Sequence, residues 1–171
     1  MTMDRFELSV DEVLEATKGK MISGPLCSFD GISTDTRVMG RNQLFVALKG
    51  KSFDGHQFIE EAKSKGAIGA LVSENVPEDD DFVLIKVKDT RKALLDIAAA
   101  WREKMSHVKV IAITGTNGKT TTKEMVRWLL SAVAPLTAAV KSYNNEVGVP
   151  LSLLDIRSEE HTSELQSRQS I

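Results

Sequence analysis

The residues best suited to chemistry lie in one short segment, directly after an apolar run that ends at Ile113. Backbone N–H groups at a helix N-terminus, helped by the helix dipole, hold polyphosphate groups. Gly115 and Gly118 would let the backbone approach such a ligand closely. Lys119 would reach the β and γ phosphates, and the Thr120 hydroxyl would ligate a bridging Mg²⁺. The segment therefore predicts a site for ATP or another nucleoside triphosphate.

The neighbouring residues extend this predicted loop. Thr116 and Asn117 can donate further hydrogen bonds, and Thr121 is expected to contact the nucleotide through the start of the helix. The usual pattern is G-x-x-x-x-G-K-[ST], and Ile113 stands where its first glycine belongs. A glycine-rich turn with an exposed lysine is the alternative interpretation.

The elements around the loop would position it. Residues 108–113 are apolar on both faces, as in a central parallel strand. An amphipathic helix is predicted over about residues 119–132, and the strand-like LTAAV (136–140) would complete a β-α-β unit.

Upstream residues predict a small α/β unit. Ser9 and Glu12 form a capping-box pattern for a helix that stops at Gly19. Strands are predicted at 44–48, 67–73 and 82–87. Further helices are predicted between Phe58 and Gly66, and after Thr90 as the capping residue.

Composition excludes several classes of function. The net charge is −2 with acids and bases interspersed, which disfavours a nucleic-acid partner. Cys27 is the single cysteine, so no internal disulfide can form and a reducing compartment is favoured. Neither a membrane-span pattern nor a signal peptide is present, and a cytoplasmic location is expected.

Four stretches resemble the Mur ligases, the ATP-dependent amide-forming enzymes of peptidoglycan synthesis. The loop GTNGKT (115–120) is similar to the shortened phosphate loop of this family. TTTKEM (120–125), NNEVGVPLSLL (144–154) and DTRKALLDIAAAWR (89–102) resemble the member that joins D-Ala-D-Ala to UDP-N-acetylmuramoyl-tripeptide. The resemblance implies ATP and Mg²⁺ as cofactors, those two compounds as substrates, and a monomer for the full-length enzyme.

Two further stretches resemble the uridine-nucleotide domain of this family: STDTR (33–37) and LFVALKGKSFDGHQFI (44–59). The resemblance implies contacts to the UDP end of the substrate from five residues. They are Thr34, Thr36, Lys51, Ser52 and Phe53. The alternative is structural: the threonines would cap turns, Lys51 would be solvated, and Phe53 would lie in the core.

Other polar residues invite a functional interpretation. Asn144 and Asn145 precede a Gly-x-Pro turn and are expected to contact nucleotide or substrate. His56 is expected to be structural because it has no obvious carboxylate partner. Asp35 and Arg37 are expected to pair and shape their loop, and Cys27 is expected to be a small, partly buried residue.

The predicted architecture is α/β: a small N-terminal α/β Mur-ligase domain, then the start of a P-loop ATPase domain with a parallel sheet. The N-terminal domain is assigned to residues 1–80, a connecting strand and helix to 81–107, and the ATP-binding start to 108–156. RSEEHTSELQS (157–167) is what a common sequencing-library adapter encodes in this frame. Residues 157–171 are therefore hypothesised to be a non-native tail.

The resemblance implies a mechanism in which the tripeptide carboxylate becomes an acyl phosphate that the amine of D-Ala-D-Ala attacks. Lys119 and Thr120 would be its catalytic residues here. Further Mg²⁺ ligands and the D-Ala-D-Ala domain of the family have no counterpart in the printed sequence, which we expect to be inactive alone. Three alternatives stay open: another P-loop enzyme, the preceding ligase that adds the third amino acid, and a non-catalytic UDP-sugar-binding module.

Overall fold

The computed structural model describes residues 6–50, 53–134, 136, 138 and 146–156. The strands in chain order are β1 (Leu8–Ser9), β2 (Lys20–Ser23), β3 (Ser28–Phe29), β4 (Gly31–Ser33), β5 (Gln43–Val46), β6 (Ala67–Val72) and β7 (Val83–Lys86). The α-helices are α1 (Val10–Thr17), α2 (Ile59–Ser64), α3 (Thr90–Lys104), α4 (Lys119–Leu130) and α5 (Gly148–Leu154). Among these described helices, none has the length and apolar character needed to cross a membrane.

A five-stranded sheet organises the first hundred residues, in the order β2-β7-β6-β5-β4. Strands β4 to β7 run parallel, and β2 joins the edge antiparallel to β7. β1 and β3 form a separate antiparallel pair. The predicted α/β class is confirmed.

Alternate residues of the central strands bury apolar side chains on opposite faces of the sheet. Leu44 and Val46 face the core that α1, α3 and α5 cover. Phe45 and Leu84 face the core that α2 covers. The period of two along each strand therefore builds a three-layer α/β unit.

The predicted capping box at the start of α1 is confirmed. The Ser9 hydroxyl accepts a hydrogen bond from the Glu12 N–H at 3.2 Å, and the Ser9 N–H donates to Glu12 Oε2 at 2.8 Å. Two N–H groups that the helix cannot satisfy are thereby paired. The helix ends at Lys18, which takes the left-handed conformation with φ 54°.

The prediction that Thr90 caps α3 is wrong. Asp89 is the N-cap, and its carboxylate accepts hydrogen bonds from the N–H groups of Arg91 and Lys92 at 2.8 and 3.1 Å. Thr90 is buried, and its hydroxyl donates to the Ala47 carbonyl at 3.0 Å. Asp and Thr are both favourable N-caps, so the pattern alone could not choose between them.

The predicted strand over residues 108–113 is also wrong. Nothing in this segment pairs as a strand with any other described residue. Val110 and Ile111 are 47% and 60% exposed. An apolar run becomes a strand only where neighbours complete its hydrogen-bond ladder, and most of its expected neighbour, residues 136–140, lies outside the described residues.

The strand and helix at residues 81–107 pack into the same unit as the residues before them. β7 lies between β2 and β6, and Leu94, Ile97 and Trp101 of α3 are buried in the core. We therefore propose that the N-terminal unit extends to about residue 105; the bounds 1–80, 81–107 and 108–156 stay predictions. Residues 157–171 lie outside the described residues, and sequencing the gene across codon 156 tests their adapter origin.

Candidate nucleotide site

The glycines of the phosphate loop adopt conformations that other residues avoid. Gly118 is the N-cap of α4 in the left-handed region, with φ 78° and ψ −3°. Gly115 has φ 148°. A Cβ built on Gly118 would meet no heavy atom within 4 Å. The backbone conformation, and not crowding, therefore requires glycine there.

The start of α4 presents a group of backbone donors. Its first intrahelical hydrogen bond runs from the Thr122 N–H to the Gly118 carbonyl at 2.8 Å. The N–H groups of Lys119, Thr120 and Thr121 precede that bond, and no side chain caps the helix. Together with the helix dipole, these donors make the start of α4 suitable for an anion, and the phosphate contacts stay a prediction.

The Lys119 side chain folds back over the loop. Its ammonium donates to the carbonyl oxygen of Gly115 and, at 3.4 Å, to that of Thr116. A positive charge therefore lies beside the backbone donors at the helix start. This arrangement fits the phosphates of a nucleotide.

The described residues also fit a Mg²⁺ held mainly by phosphate oxygens. Thr120 is exposed at the second position of α4 and offers one hydroxyl oxygen. No group of three or more His, Cys, Asp or Glu side chains that could hold a metal occurs among the described residues. Mg²⁺ usually keeps several waters and takes few protein ligands beside phosphate, so the Thr120 hydroxyl can supply one ligand of such a site.

An apolar depression adjoins this site along α4. It has a volume of about 650 Å³ and is lined by Thr120, Thr121, Glu124, Met125, Trp128 and Leu129. Met125 and Trp128 are 61% and 75% exposed. The amphipathic pattern predicted for this helix is present, and its apolar face is not covered by any described residue.

A second candidate region lies at the carboxyl ends of the parallel strands, where open α/β sheets bind ligands. Thr34 directly follows β4 and is half-buried. Phe53 lies in the connection that follows β5. Phe53 is 50% exposed and stacks on Phe58, with ring centroids 5.3 Å apart, so it is not a core residue.

Thr36 occupies a more enclosed position near the same edge. It is buried, and its hydroxyl donates to Glu61 Oε1 of α2 at 2.9 Å. Only the lone pairs of that oxygen remain for a ligand. The partner Glu61 was not anticipated from the sequence, because 25 residues separate the two.

The expected pairing of Asp35 with Arg37 is confirmed. The guanidinium donates to both carboxylate oxygens, with Nη2 2.6 Å from Oδ2 and Nε 2.9 Å from Oδ1. These hydrogen bonds, with one from the Arg37 N–H, lower the pKa of Asp35 to about 2. The pair shapes the short 3₁₀ helix Thr36–Val38, which Asp35 caps.

The expectation that His56 has no carboxylate partner is wrong. Its Nδ1 lies 2.6 Å from Asp54 Oδ1, and Asp54 also accepts the His56 N–H at 3.0 Å. These hydrogen bonds from His56 hold the pKa of Asp54 below its usual value. The local signal was available, because Asp-Gly-x is a common turn in which the aspartate bonds the backbone two residues on.

The other predicted residues divide into two groups. Cys27 is free and half-buried, as expected, and burial raises the pKa of its thiol. Lys51, Ser52, Asn144 and Asn145 lie outside the described residues, and their predicted substrate contacts stay predictions.

Two family profiles match successive parts of this chain. One, described as "Mur ligase family, catalytic domain", matches residues 28–102, and the other, "Mur ligase middle domain", matches residues 113–165. The chain belongs to the Mur ligase family. Residues 115–120, the predicted phosphate loop, lie at the start of the second match.

Named relatives indicate which members of the Mur ligase family this chain resembles. The UDP-N-acetylmuramoyl-tripeptide–D-alanyl-D-alanine ligase of Treponema pallidum is 37% identical over 163 residues, covering 89% of this chain and 36% of the relative. The Escherichia coli ligase of the same name is 38% identical, covering 89% and 33%. The diaminopimelate ligase of Clostridium perfringens is 37% identical over 118 residues, covering 68% and 24%. This Mur ligase chain spans about a third of the length of the curated relatives it matches.

Solved structures agree with the family assignment. A crystal structure of MurF from Acinetobacter baumannii superposes with a TM-score of 0.81 at 36% identity, covering 91% of this chain and 34% of that one. MurF ligase from Thermotoga maritima, solved in complex with ADP, superposes with a TM-score of 0.64 at 34% identity, covering 76% and 30%.

Proposed function

We propose that this chain supplies the UDP-end binding unit and the phosphate loop of an ATP-dependent ligase that adds D-Ala-D-Ala to UDP-N-acetylmuramoyl-tripeptide. The observation that carries the proposal is the group of backbone donors at Lys119, Thr120 and Thr121, with the Lys119 ammonium beside it. The D-Ala-D-Ala-adding relatives, which match about nine-tenths of the chain, support the choice of substrates.

ATP would supply the γ-phosphoryl group that turns the tripeptide carboxylate into an acyl phosphate, with ADP as the leaving group, and Mg²⁺ would neutralise phosphate charge. The N–H groups at the start of α4 bind and orient phosphate oxygens, with Gly115, Thr116, Asn117 and Gly118 forming the loop. Lys119 neutralises charge that develops on the transferred group. Thr120 provides a hydroxyl ligand for the metal. The amine of D-Ala-D-Ala then attacks the acyl carbon, and inorganic phosphate leaves.

The UDP end of the substrate is assigned to the carboxyl edge of the N-terminal sheet. Thr34, Thr36 and Phe53 follow β4 and β5 at this edge, and the proposal adds Lys51 and Ser52 from the same connection. Asn144 and Asn145 are proposed to contact nucleotide or substrate near the start of α5. The proposed setting is the cytoplasm, with the full-length ligase as a monomer.

The experiment is a phosphate-release assay on the full-length protein with ATP, Mg²⁺, UDP-N-acetylmuramoyl-tripeptide and D-Ala-D-Ala. Lys119→Met should lower kcat/KM by about 100-fold or more, the scale seen when one transition-state charge contact is removed. Arg127→Met is the matched control, because Arg127 lies on the same helix and contacts Glu124. An unchanged rate in Lys119→Met would overturn the assigned role of the loop.

The preceding ligase, which adds the third amino acid, is the second candidate, and the similarity to the diaminopimelate ligase favours it. The same assay with UDP-N-acetylmuramoyl-dipeptide and a free diamino acid separates the two. Turnover with the diamino acid alone would replace the proposal. Binding of UDP without phosphate release from either pair would favour a non-catalytic UDP-sugar-binding module.

A further inference from the structure

The described residues at the two ends of the connection after β5 pair with each other. The Gly50 N–H donates to the Phe53 carbonyl at 2.8 Å, and the Gly55 N–H donates to the Leu48 carbonyl at 2.8 Å. Lys49 and Asp54 form an antiparallel bridge between these bonds. Residues 48–50 and 53–55 are therefore paired beyond the carboxyl end of β5, and these two segments are called the hairpin.

One buried side chain joins this hairpin to the neighbouring strand. The His56 side chain is only 9% exposed. Its Nε2 accepts hydrogen bonds from the N–H groups of Ser73 and Glu74, at 3.0 and 3.3 Å, directly after β6. Because Nε2 accepts, the proton of the neutral ring is on Nδ1 and is donated to Asp54 at 2.6 Å.

Two further contacts near the His56 ring hold the hairpin in place. The Lys49 ammonium lies 2.7 Å from Glu74 Oε1 and 3.7 Å from Asp54 Oδ2, so it bridges the same two segments. Phe53 stacks on Phe58, which lies with His56 in the 3₁₀ helix Gly55–Phe58. The half-exposed Phe53 ring is thus positioned by Phe58, which lies in the same 3₁₀ helix as His56.

We propose that His56, together with Asp54, is a positioning pair that holds this hairpin over the carboxyl ends of β5 and β6 in the form that binds the uridine diphosphate end of the substrate. The inference rests on the proposed function, which assigns the UDP end to this edge. Segments that are already held in place lose less conformational entropy when a ligand binds, and the affinity is higher for that reason. His56 itself contacts protein, and so acts through Phe53 and the hairpin backbone.

The experiment measures the affinity of the full-length protein for UDP by calorimetry. His56→Asn removes the acceptor at Nε2, whereas His56→Gln carries an oxygen at about the distance of Nε2 from the backbone. We expect the asparagine variant to bind UDP about tenfold more weakly, equivalent to about 1.4 kcal/mol, and the glutamine variant to recover most of that loss. His107→Asn is the control, because His107 is exposed.

The outcomes separate the inference from the function on which it rests. If the wild-type protein does not bind UDP, the assignment of the UDP end fails, and the positioning role fails with it. If the wild type binds and His56→Asn binds equally well, the positioning role alone is overturned. Amide NMR shifts of Ser73 and Glu74 report the lost hydrogen bonds, and thermal unfolding reports the fold. Should His56→Asn not fold, Asp54→Ala at a side chain 28% exposed is measured instead, with the same expected loss.

Discussion

Gly118 has a role in the backbone conformation at the start of α4 and a proposed role in phosphate binding. Its φ of 78° would cost an L-residue roughly 1–2 kcal/mol, although a Cβ there would meet open space. The phosphate of the proposed function would approach the backbone through the same open space. Under that proposal, replacing Gly118 causes two separate losses.

We predict that Gly118→Ala lowers the free energy of unfolding by about 1 kcal/mol and also weakens ATP binding in the full-length protein. Denaturant titration gives the first quantity and calorimetry with Mg²⁺-ATP the second. Arg127→Ala, at a half-exposed side chain of the same helix, should leave ATP affinity unchanged. Full ATP affinity in Gly118→Ala would show that phosphate does not approach this backbone.

The pairing of Asp35 with Arg37 should contribute to stability in a pH-dependent way. Arg37→Ala should raise the pKa of Asp35 from about 2 toward 3.8, because the hydrogen bonds from the guanidinium favour the charged carboxylate. A carboxyl group whose pKa is lower in the folded protein stabilises the fold at pH values above its pKa in the unfolded chain. This stabilisation is lost as the pH falls toward 2. The stability difference between wild type and variant should therefore be present at neutral pH and disappear in acid. NMR titration of the Asp35 carboxyl checks the shift, with Arg41→Ala as control.

At the scale of elements, α1 is specified by its own sequence. Its capping box uses residues three apart, and both reciprocal hydrogen bonds form. Helices satisfy most of their hydrogen bonds internally, so local patterns are sufficient to place them. The helix predicted over about 119–132 illustrates the same point, because α4 forms even though its apolar face is uncovered by described residues.

We predict that Ser9→Ala lowers the free energy of unfolding by about 1 kcal/mol, the usual effect of losing an N-cap side chain. Chemical denaturation followed by circular dichroism provides the measurement. Glu15→Gln, at an exposed position of α1, should have little effect. Equal stability of wild type and Ser9→Ala would mean that the cap hydrogen bond is replaced by water without loss.

On the scale of the whole molecule, the residues after the phosphate loop return to the first core. Leu154 of α5 is 4% exposed in the core that contains Trp101. The Trp101 indole N–H donates to the Ile156 carbonyl at 3.2 Å, and Arg91 lies 3.2 Å from Glu146. Contacts across 55 residues thus connect α3 with the segment that follows Asn144 and Asn145.

We predict that Leu154→Ala destabilises the N-terminal unit by about 2–5 kcal/mol, as expected when a buried leucine is truncated. Val149→Ala is the control on the same helix, because Val149 is 49% exposed and should change stability by no more than about 0.5 kcal/mol. Thermal and denaturant unfolding provide the comparison. A small effect of Leu154→Ala would show that α5 contributes little to this core.

The sequence by itself determined the features that depend on neighbouring residues. These are the α/β class, the cap of α1, the helix after the predicted phosphate loop, and the pairing of Asp35 with Arg37. Each follows from hydrogen bonds or backbone angles within a few positions of the chain. The nucleotide contacts of residues 115–121 stay a prediction.

Only the tertiary structure decided the features that depend on distant partners. It replaced the expected strand at 108–113 with exposed chain, and chose Asp89 over Thr90 as the cap by giving Thr90 a partner in Ala47. It also brought His56 to Ser73, which lies 17 residues away in sequence and adjoins it only because β5 and β6 are parallel neighbours. A strand or a buried polar side chain acquires its role from the groups that surround it, and those groups are set by the fold as a whole.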